Sequence, residues 1–172
     1  FNLKDFGGDS KRVPFSYYTE ASMDLAWQKN EDILRSMVWA AFNQVFTGIE
    51  SVDDGVLKRM DKGQNLRMPI REVVDKVQRA GLEVTAGFII GEDGEKPDAF
   101  EKLYSFIQES GIVGPMPGLL TALKNTKLHK RLEQEGRLRD DSSGNNTHNL
   151  SFNFATELDE EFLIQGYKKL IS

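Results

Sequence analysis

An α/β fold built on a parallel sheet is the prediction for this 172-residue chain, and three observations make it. The apolar runs over 45–49 and 87–90 are continuous rather than alternating, as expected of strands buried on both faces. Helical patterns lie between the runs, and successive strands stand roughly 30 to 40 residues apart, the length scale of βαβ units. The run that ends at Ile90 stops abruptly in Gly91-Glu92-Asp93-Gly94-Glu95, a glycine- and acid-rich turn followed by Pro97. A buried parallel strand of that kind delivers its C-terminal end to a ligand site.

Each element has its own signal. The stretch from Pro14 to Met23 is rich in Tyr, Phe, Ser and Thr and reads as the first strand, with proline at its start. Asn30 suits the cap of a helix to about Phe42, in which Ile33, Leu34, Met37, Val38 and Ala41 recur at helical spacing. The second strand, 44–50, leads to Asp53 and Asp54, carboxylates suited to the start of a short helix through Met60. Gly63 reads as a helix stop. Pro69 opens a helix whose stripe is Ile70, Val73, Val74 and Val77 and which stops before Gly81. The third strand, 82–90, follows directly. Pro97 opens a helix with Phe100, Leu103 and Ile107 on one face. The fourth strand, 113–122, is interrupted by Pro115, Pro117 and Gly118, which suit an edge or a bulge. Thr126 caps a short helix to Glu135. A last helix follows Asp159, with Phe162, Leu163, Tyr167, Leu170 and Ile171 as its packing face.

The domain reading follows from these patterns. Residues 1–13 have no clear period and read as a poorly ordered N-terminal segment. Residues 14–138 carry the four strand and helix units, and 139–172 hold a polar linker and a C-terminal extension with its helix. Phe1 stands where an initiator methionine would, so the chain reads as a piece of a longer protein. With 39% hydrophobic residues it can bury a real core.

Composition excludes several classes. A formal charge of -5, with Lys and Arg spread among the acids, gives no basic face, so no nucleic-acid partner is expected. No apolar run approaches the roughly 18 residues of a membrane span, and no signal peptide opens the chain, so a soluble, cytoplasmic protein is expected. The absence of cysteine removes disulfides, thiolate catalysis and cysteine-ligated zinc or clusters. His129 and His148, the only histidines, have no cysteines to complete a site, so no metal site is expected. The 140–146 loop lacks the glycine placement and final glutamate of a calcium-binding EF-hand.

Right-handed crossovers bring all strand C-termini to one side, where ligands of such folds bind. Gly48-Ile49-Glu50-Ser51 and the turn after Ile90 both belong to that side.

Three segments, TGIES (47–51), LKRMDKGQN (57–65) and AGFIIGEDGE (86–95), together resemble the radical SAM superfamily, whose catalytic core is a partial TIM barrel of six βα units. They are most similar to its cobalamin-binding branch, which includes hopanoid methylase-like enzymes and magnesium-protoporphyrin IX monomethyl ester oxidative cyclase-like enzymes. The resemblance implies that the chain is the C-terminal half of the catalytic barrel, four parallel βα units forming barrel strands three to six. NNTHNLSFNF (145–154) resembles the C-terminal extension of the methylase-like subgroup.

The resemblance implies roles for particular residues. Glu20 would contact the amino group of S-adenosylmethionine, Glu50 with Ser51 would read the ribose, and Lys62 would neutralise the methionyl carboxylate. A zwitterionic cofactor offers an ammonium to acids, a carboxylate to bases and hydroxyls to acceptors. Gly87, Ile89 and Gly91 resemble the motif that lies along the adenosine, where small residues permit close backbone approach. Its acidic residue appears as Glu95. Leu119, Leu120 and Thr121 would contact adenine through their backbone, although the proline-glycine-threonine-proline turn usual after that strand reads Lys124-Asn125-Thr126-Lys127 here. No catalytic residue is assigned.

The CxxxCxxC loop of the [4Fe-4S] cluster, the glycine-rich acidic motif after strand two and the cobalamin domain are absent. By resemblance, cluster and cobalamin belong to the intact parent, which would form a 5'-deoxyadenosyl radical and methylate an unactivated carbon of a small-molecule, lipid or tetrapyrrole substrate. Oxidative ring closure on a tetrapyrrole is the alternative chemistry. A non-radical TIM-barrel enzyme fragment and a non-catalytic scaffold are the remaining readings.

The same residues have plainer uses. Acids at strand ends serve as solvated or ion-paired groups, Lys62 lies in a charged run, and glycines 87 and 91 serve close packing. Glu92, Asp93 and Glu95 suit a helix N-terminus. A half barrel also leaves its first strand unpaired, and self-association through that open edge is expected of the isolated piece.

Overall fold

The structure, a computed structural model, describes residues 15–27, 30–139 and 150–172. The N-terminal segment 1–13, Pro14, most of the polar linker and His148 lie outside the described residues. Four strands form one sheet in the order β1-β2-β3-β4. They are β1 (Tyr17–Glu20), β2 (Phe42–Glu50), β3 (Glu83–Ile90) and β4 (Gly114–Leu119). All four are parallel, as a βα succession requires. β1 pairs β2 with Glu20 opposite Phe46 and a register shift between Tyr17 and Tyr18. β4 carries its prolines at the sheet's edge, where a missing N–H costs no ladder bond on the open side.

The helices are α1 (Glu31–Trp39), α2 (Asp54–Arg59), α3 (Ile70–Arg79), α4 (Ala99–Ser110), α5 (Lys127–Gln134) and α6 (Glu160–Leu170). Short 3-10 turns occupy Met23–Ala26 and Gly63–Leu66. Met23 therefore lies beyond the first strand, which is shorter than its composition suggests. Helix α1 is also shorter: β2 begins at Phe42, and of the anticipated stripe only Leu34 is buried within α1, while Ile33 and Val38 are exposed. Among the described residues no helix is long and apolar enough to cross a membrane.

The chain divides into two compact units, each drawn from separate stretches. The first comprises residues 1–49, 63–87 and 107–116. Its core sets Val73, Val74 and Val77 of α3 with Val45, Ile49, Val84 and Ala86 of the sheet, and Met23, Ala26 and Leu34 complete it. Along β2, buried Val45, Thr47 and Ile49 alternate with less buried neighbours, so one face of the strand is closed and the other is open. Arg67 stacks over the Trp27 ring at 4.4 Å.

The second unit comprises residues 50–62, 88–106 and 117–172. Val56 and Leu57 of α2, Phe88 and Ile90, Leu103, Leu132 and Leu163 are buried there with Phe152 and Phe154. Phe88 meets Phe106 edge-on, and Phe100 meets Phe162 likewise. Phe154 forms an isolated antiparallel bridge with Leu138.

Candidate functional site

Two unusual backbone positions frame the strand-end region of the second unit. Glu50, the last residue of β2, adopts φ +70°, and Asp61, just past α2, adopts φ +59°. Left-handed conformations in residues with a Cβ cost on the order of 1 kcal/mol or more each, so they persist where surrounding contacts impose them. Around Asp61 those contacts are a Schellman cap. Lys62 N donates to Leu57 O at 3.0 Å and Asp61 N to Lys58 O at 3.3 Å. Asp61, not Gly63, therefore supplies the left-handed residue that ends α2. The other end of α2 is capped by Asp53, whose carboxylate accepts from Gly55 N at 2.7 Å and Val56 N at 3.3 Å. Burial opposes ionisation of Asp53, but these bonds and Lys96 outweigh it and hold the carboxyl below its usual range.

The consequence is an ion pair. Lys62 Nζ donates to Glu50 Oε1 at 2.7 Å, with the Glu50 side chain largely buried and Lys62 about a third exposed. Two residues twelve apart are thus brought together by the short helix between them. Ser51 faces the same turn, where its hydroxyl accepts from Asp53 N at 3.1 Å. In the first unit, Asn65 donates to Gly48 O and Ile49 O, both at 3.0 Å, and so fixes the chain that leads into Glu50. Asn65 lies inside the LKRMDKGQN segment, yet its charged neighbours carry the sequence signal and hide its structural part.

After β3, Gly91 adopts φ +100°. The side-chain space at Gly91 is filled by the Phe152 ring: an ideal Cβ would lie 2.7 Å from Phe152 Cζ and closer still to Cε1. Gly87, in the first unit, has the Phe46 ring against it in the same way, with Cζ 3.1 Å from an ideal Cβ. Glu95 folds back over the turn and accepts from Gly91 N at 3.0 Å. Burial pushes its carboxyl up to about 7, against the lowering effect of the backbone bonds from Gly91 and Glu92. Glu50, Ser51, Ile89 and Glu95 share the lining of one cavity of about 30 Å³, room for one or two waters and no more.

Glu95 carries a pH prediction. Its folded-state pKa lies above its unfolded value, so the stability it contributes is fully present below about pH 4.5 and is lost as pH rises to about 7. The loss is on the order of 2–3 kcal/mol. Glu95→Gln keeps an acceptor for Gly91 N and removes the titration. Urea unfolding at pH 5 and pH 8 is expected to show a smaller drop for the variant than for the parent; equal drops would contradict the assignment.

Asp93 is 4% exposed and gripped by two arginines. Arg137 donates to both carboxylate oxygens, at 2.7 and 2.9 Å, and Arg131 to Oδ2 at 2.5 Å. Burial works against the charged form, but the guanidinium groups outweigh it and hold the Asp93 carboxyl below the usual range. Glu92 goes the other way, pushed up by burial and by the Asp93 charge. Arg137 also donates to Ala155 O at 2.8 Å, and Glu157 accepts from Gly94 N at 2.8 Å. The turn is thus clamped to the C-terminal residues rather than simply opening α4 as helix-start acids would. Arg131 and Arg137 carry no local pattern that would single them out, since their partner lies about 40 residues away.

Leu119 ends β4, and Leu120 N donates to Ile90 O at 2.8 Å, so that backbone amide is engaged in the sheet. Thr121 follows at the start of the loop to α5. Glu20, in the first unit, is exposed at the end of β1 and lines a wide groove of about 510 Å³ with Tyr18, Gln44, Phe46, Thr85 and Met116. Among the described residues no group of three His, Asp or Glu side chains could hold a metal ion. Without a single cysteine, the chain has no thiolate to ligate an iron–sulfur cluster.

A model of a domain of unknown function, DUF4070, matches residues 126–172. The chain is 40% identical over 146 residues, 85% of its length, to an uncharacterized methyltransferase of Synechocystis. It is 40% identical over 133 residues to the hopanoid C-2 methylase of Rhodopseudomonas palustris, covering 77% of this chain and 25% of that one. To the bacteriochlorophyllide d C-12(1)-methyltransferase of Chlorobaculum tepidum it is 29% identical over 90 residues, 52% of this chain and 20% of that one. The chain spans about a quarter of the length of these relatives, 27% for the first. Among solved structures, Elp3 of Methanocaldococcus infernus with an N-terminal deletion superposes with a TM-score of 0.61 at 15% identity, covering 90% of this chain and 32% of that one. That likeness concerns the fold, which is the parallel α/β arrangement anticipated from the strand spacing. The sequence relatives, methyltransferases all three, agree with the resemblance of the three segments to the cobalamin-binding branch of the radical SAM superfamily.

Proposed function

We propose that this chain is the part of a radical SAM methyltransferase that holds the methionyl and nucleoside portions of S-adenosylmethionine. The observation that carries the reading is the Glu50–Lys62 pair, an acid and a base held at a strand's C-terminal end by two left-handed residues. Strain of that kind gathers at functional sites. The pair fits the chemistry of a zwitterion: Lys62 can exchange its Glu50 partner for a carboxylate, which frees Glu50 to accept from ribose hydroxyls. Within the first unit, the exposed Glu20 carboxylate is an acceptor suited to an ammonium. The cavity beside Glu50 and Glu95 is too small for a nucleoside, so the cofactor does not lie in it.

The cofactor supplies radical chemistry at carbon, driven by a cluster and assisted by cobalamin, both of which are held elsewhere in the full-length protein. This chain's residues bind, orient and exclude water. The named relatives, a hopanoid methylase and a bacteriochlorophyllide methyltransferase, support methyl transfer to an unactivated carbon of a lipid or tetrapyrrole over ring closure or non-radical barrel chemistry.

The test is Lys62→Ala in the full-length, cluster-loaded protein, titrated with S-adenosylmethionine by calorimetry. Loss of one charge-assisted contact is expected to weaken binding roughly 10-fold or more. Unchanged affinity, or no binding by the parent, would sink the reading.

A further inference from the structure

The pair Phe152-Asn153 reaches the exits of two strands at once. Successive residues of an extended segment point in opposite directions. Phe152 fills the space over Gly91, just past β3. Asn153 turns to Ala122, just past β4: its Oδ1 accepts from Ala122 N at 2.9 Å, and its Nδ2 donates to Ala122 O at 3.0 Å. A side-chain amide thereby takes both polar groups of one residue, as a neighbouring strand would.

Asn153 is 7% exposed, and its own backbone is held in place. Arg139 N donates to Asn153 O at 2.9 Å and Ala155 N to Arg137 O at 2.8 Å. Phe152 and Phe154 meet edge-on at 5.7 Å. Beyond β4, Leu120 is tied to Ile90 O and Ala122 to Asn153. Thr121 between them is therefore fixed at both sides, before any helix begins.

Resting on the cofactor reading above, we propose that Asn153 is a positioning residue for adenine recognition. By clamping Ala122 it sets the direction of the Thr121 N–H and C=O, which would read the base edge while the Leu120 amide stays bonded to Ile90 O. A backbone reader distinguishes bases by donor and acceptor order, so it must be held rigidly to discriminate. Adenine presents an N6 donor beside an N1 acceptor; hypoxanthine presents the reverse.

The experiment compares S-adenosylhomocysteine with S-inosylhomocysteine as ligands of the full-length protein, in the parent and in Asn153→Ala, Asn153→Asp and Lys62→Ala variants. Asp keeps the acceptor for Ala122 N and loses the donor to Ala122 O, which provides a milder change should the alanine variant fold poorly. The parent is expected to prefer the adenosyl ligand at least 10-fold. Asn153→Ala should shrink that ratio at least 3-fold and Asn153→Asp by a smaller factor, whereas Lys62→Ala should weaken both ligands equally and leave the ratio unchanged. A purely structural Asn153 would lower both affinities in proportion, and that result, or a parent without preference, overturns the proposal. If the Lys62 variant binds as the parent does, the cofactor reading has failed instead.

Discussion

Gly91→Ala is expected to be the most damaging single-methyl change in the second unit, costing on the order of 3–4 kcal/mol. Two effects combine. Alanine at φ +100° is strained by roughly 1–2 kcal/mol. The new Cβ also overlaps the Phe152 ring, which is 5% exposed. Either the ring leaves, forfeiting about 2 kcal/mol of burial, or the turn shifts and breaks the Gly91–Glu95 hydrogen bond. A drop in melting temperature of about 10 °C follows for a chain of this size. Gly136→Ala is the control. It also has positive φ, +67°, but nothing lies within 4 Å of its ideal Cβ, so only the backbone cost of about 1 kcal/mol applies. Equal melting temperatures for the two variants would show that Phe152 does not press on Gly91.

Asp93→Ala should cost nearly as much, about 2–3 kcal/mol, because it strips the acceptor from two arginines. Removing one partner of a buried pair typically costs about 3–5 kcal/mol. The lower figure reflects Arg131, whose side chain is 42% exposed, and the Glu135 carboxylate that remains 2.9 Å from Arg137. The damage should also travel. With Arg137 unanchored, the hydrogen bonds Arg139 N to Asn153 O and Ala155 N to Arg137 O lose their support. Hydrogen exchange at the Arg139 and Ala155 amides should accelerate while that of Val74 in α3 stays as it was. The native carboxylate also gives a sign in pH: its contribution is present above about pH 4 and disappears on acidification, in contrast to that of Glu95. Uniform acceleration across the chain would mean that the clamp is not local.

How legible all this was depends on the range of the interaction. The α3 stripe of Val73, Val74 and Val77 appears as its period requires, and the runs of β2 and β3 do mark strands, although β2 buries only Val45, Thr47 and Ile49 on one face rather than both faces as a continuous run suggests. Glu50 and Lys62 could be named because they stand in short segments with a recognisable order, twelve residues apart. The spacing of Val38 and Ala41 overstates the length of α1, because the chain leaves the helix at Ala41, with φ +69°, to begin β2. The clamp on Asp93 and the amide pairing of Asn153 were out of reach. Each joins residues 31 to 44 apart with no periodic or compositional mark. Phe152 over Gly91 has the same character: a glycine announces that something comes close, but not what.

The long reach of these contacts also bears on the order of events during synthesis. Asp93 meets Arg131 and Arg137 across 38 and 44 residues, and Gly94 meets Glu157 across 63. At about 5–20 residues per second, a ribosome needs roughly 2–9 s to make the stretch that brings Arg137 to Asp93. Until then the carboxylate at the end of β3 remains in water, and the glycine turn lacks the ring that presses on it. The nascent first strands can pair early, while the strand ends proposed to face the cofactor take their final form only after translation has passed the second arginine and the Phe152-Asn153 pair.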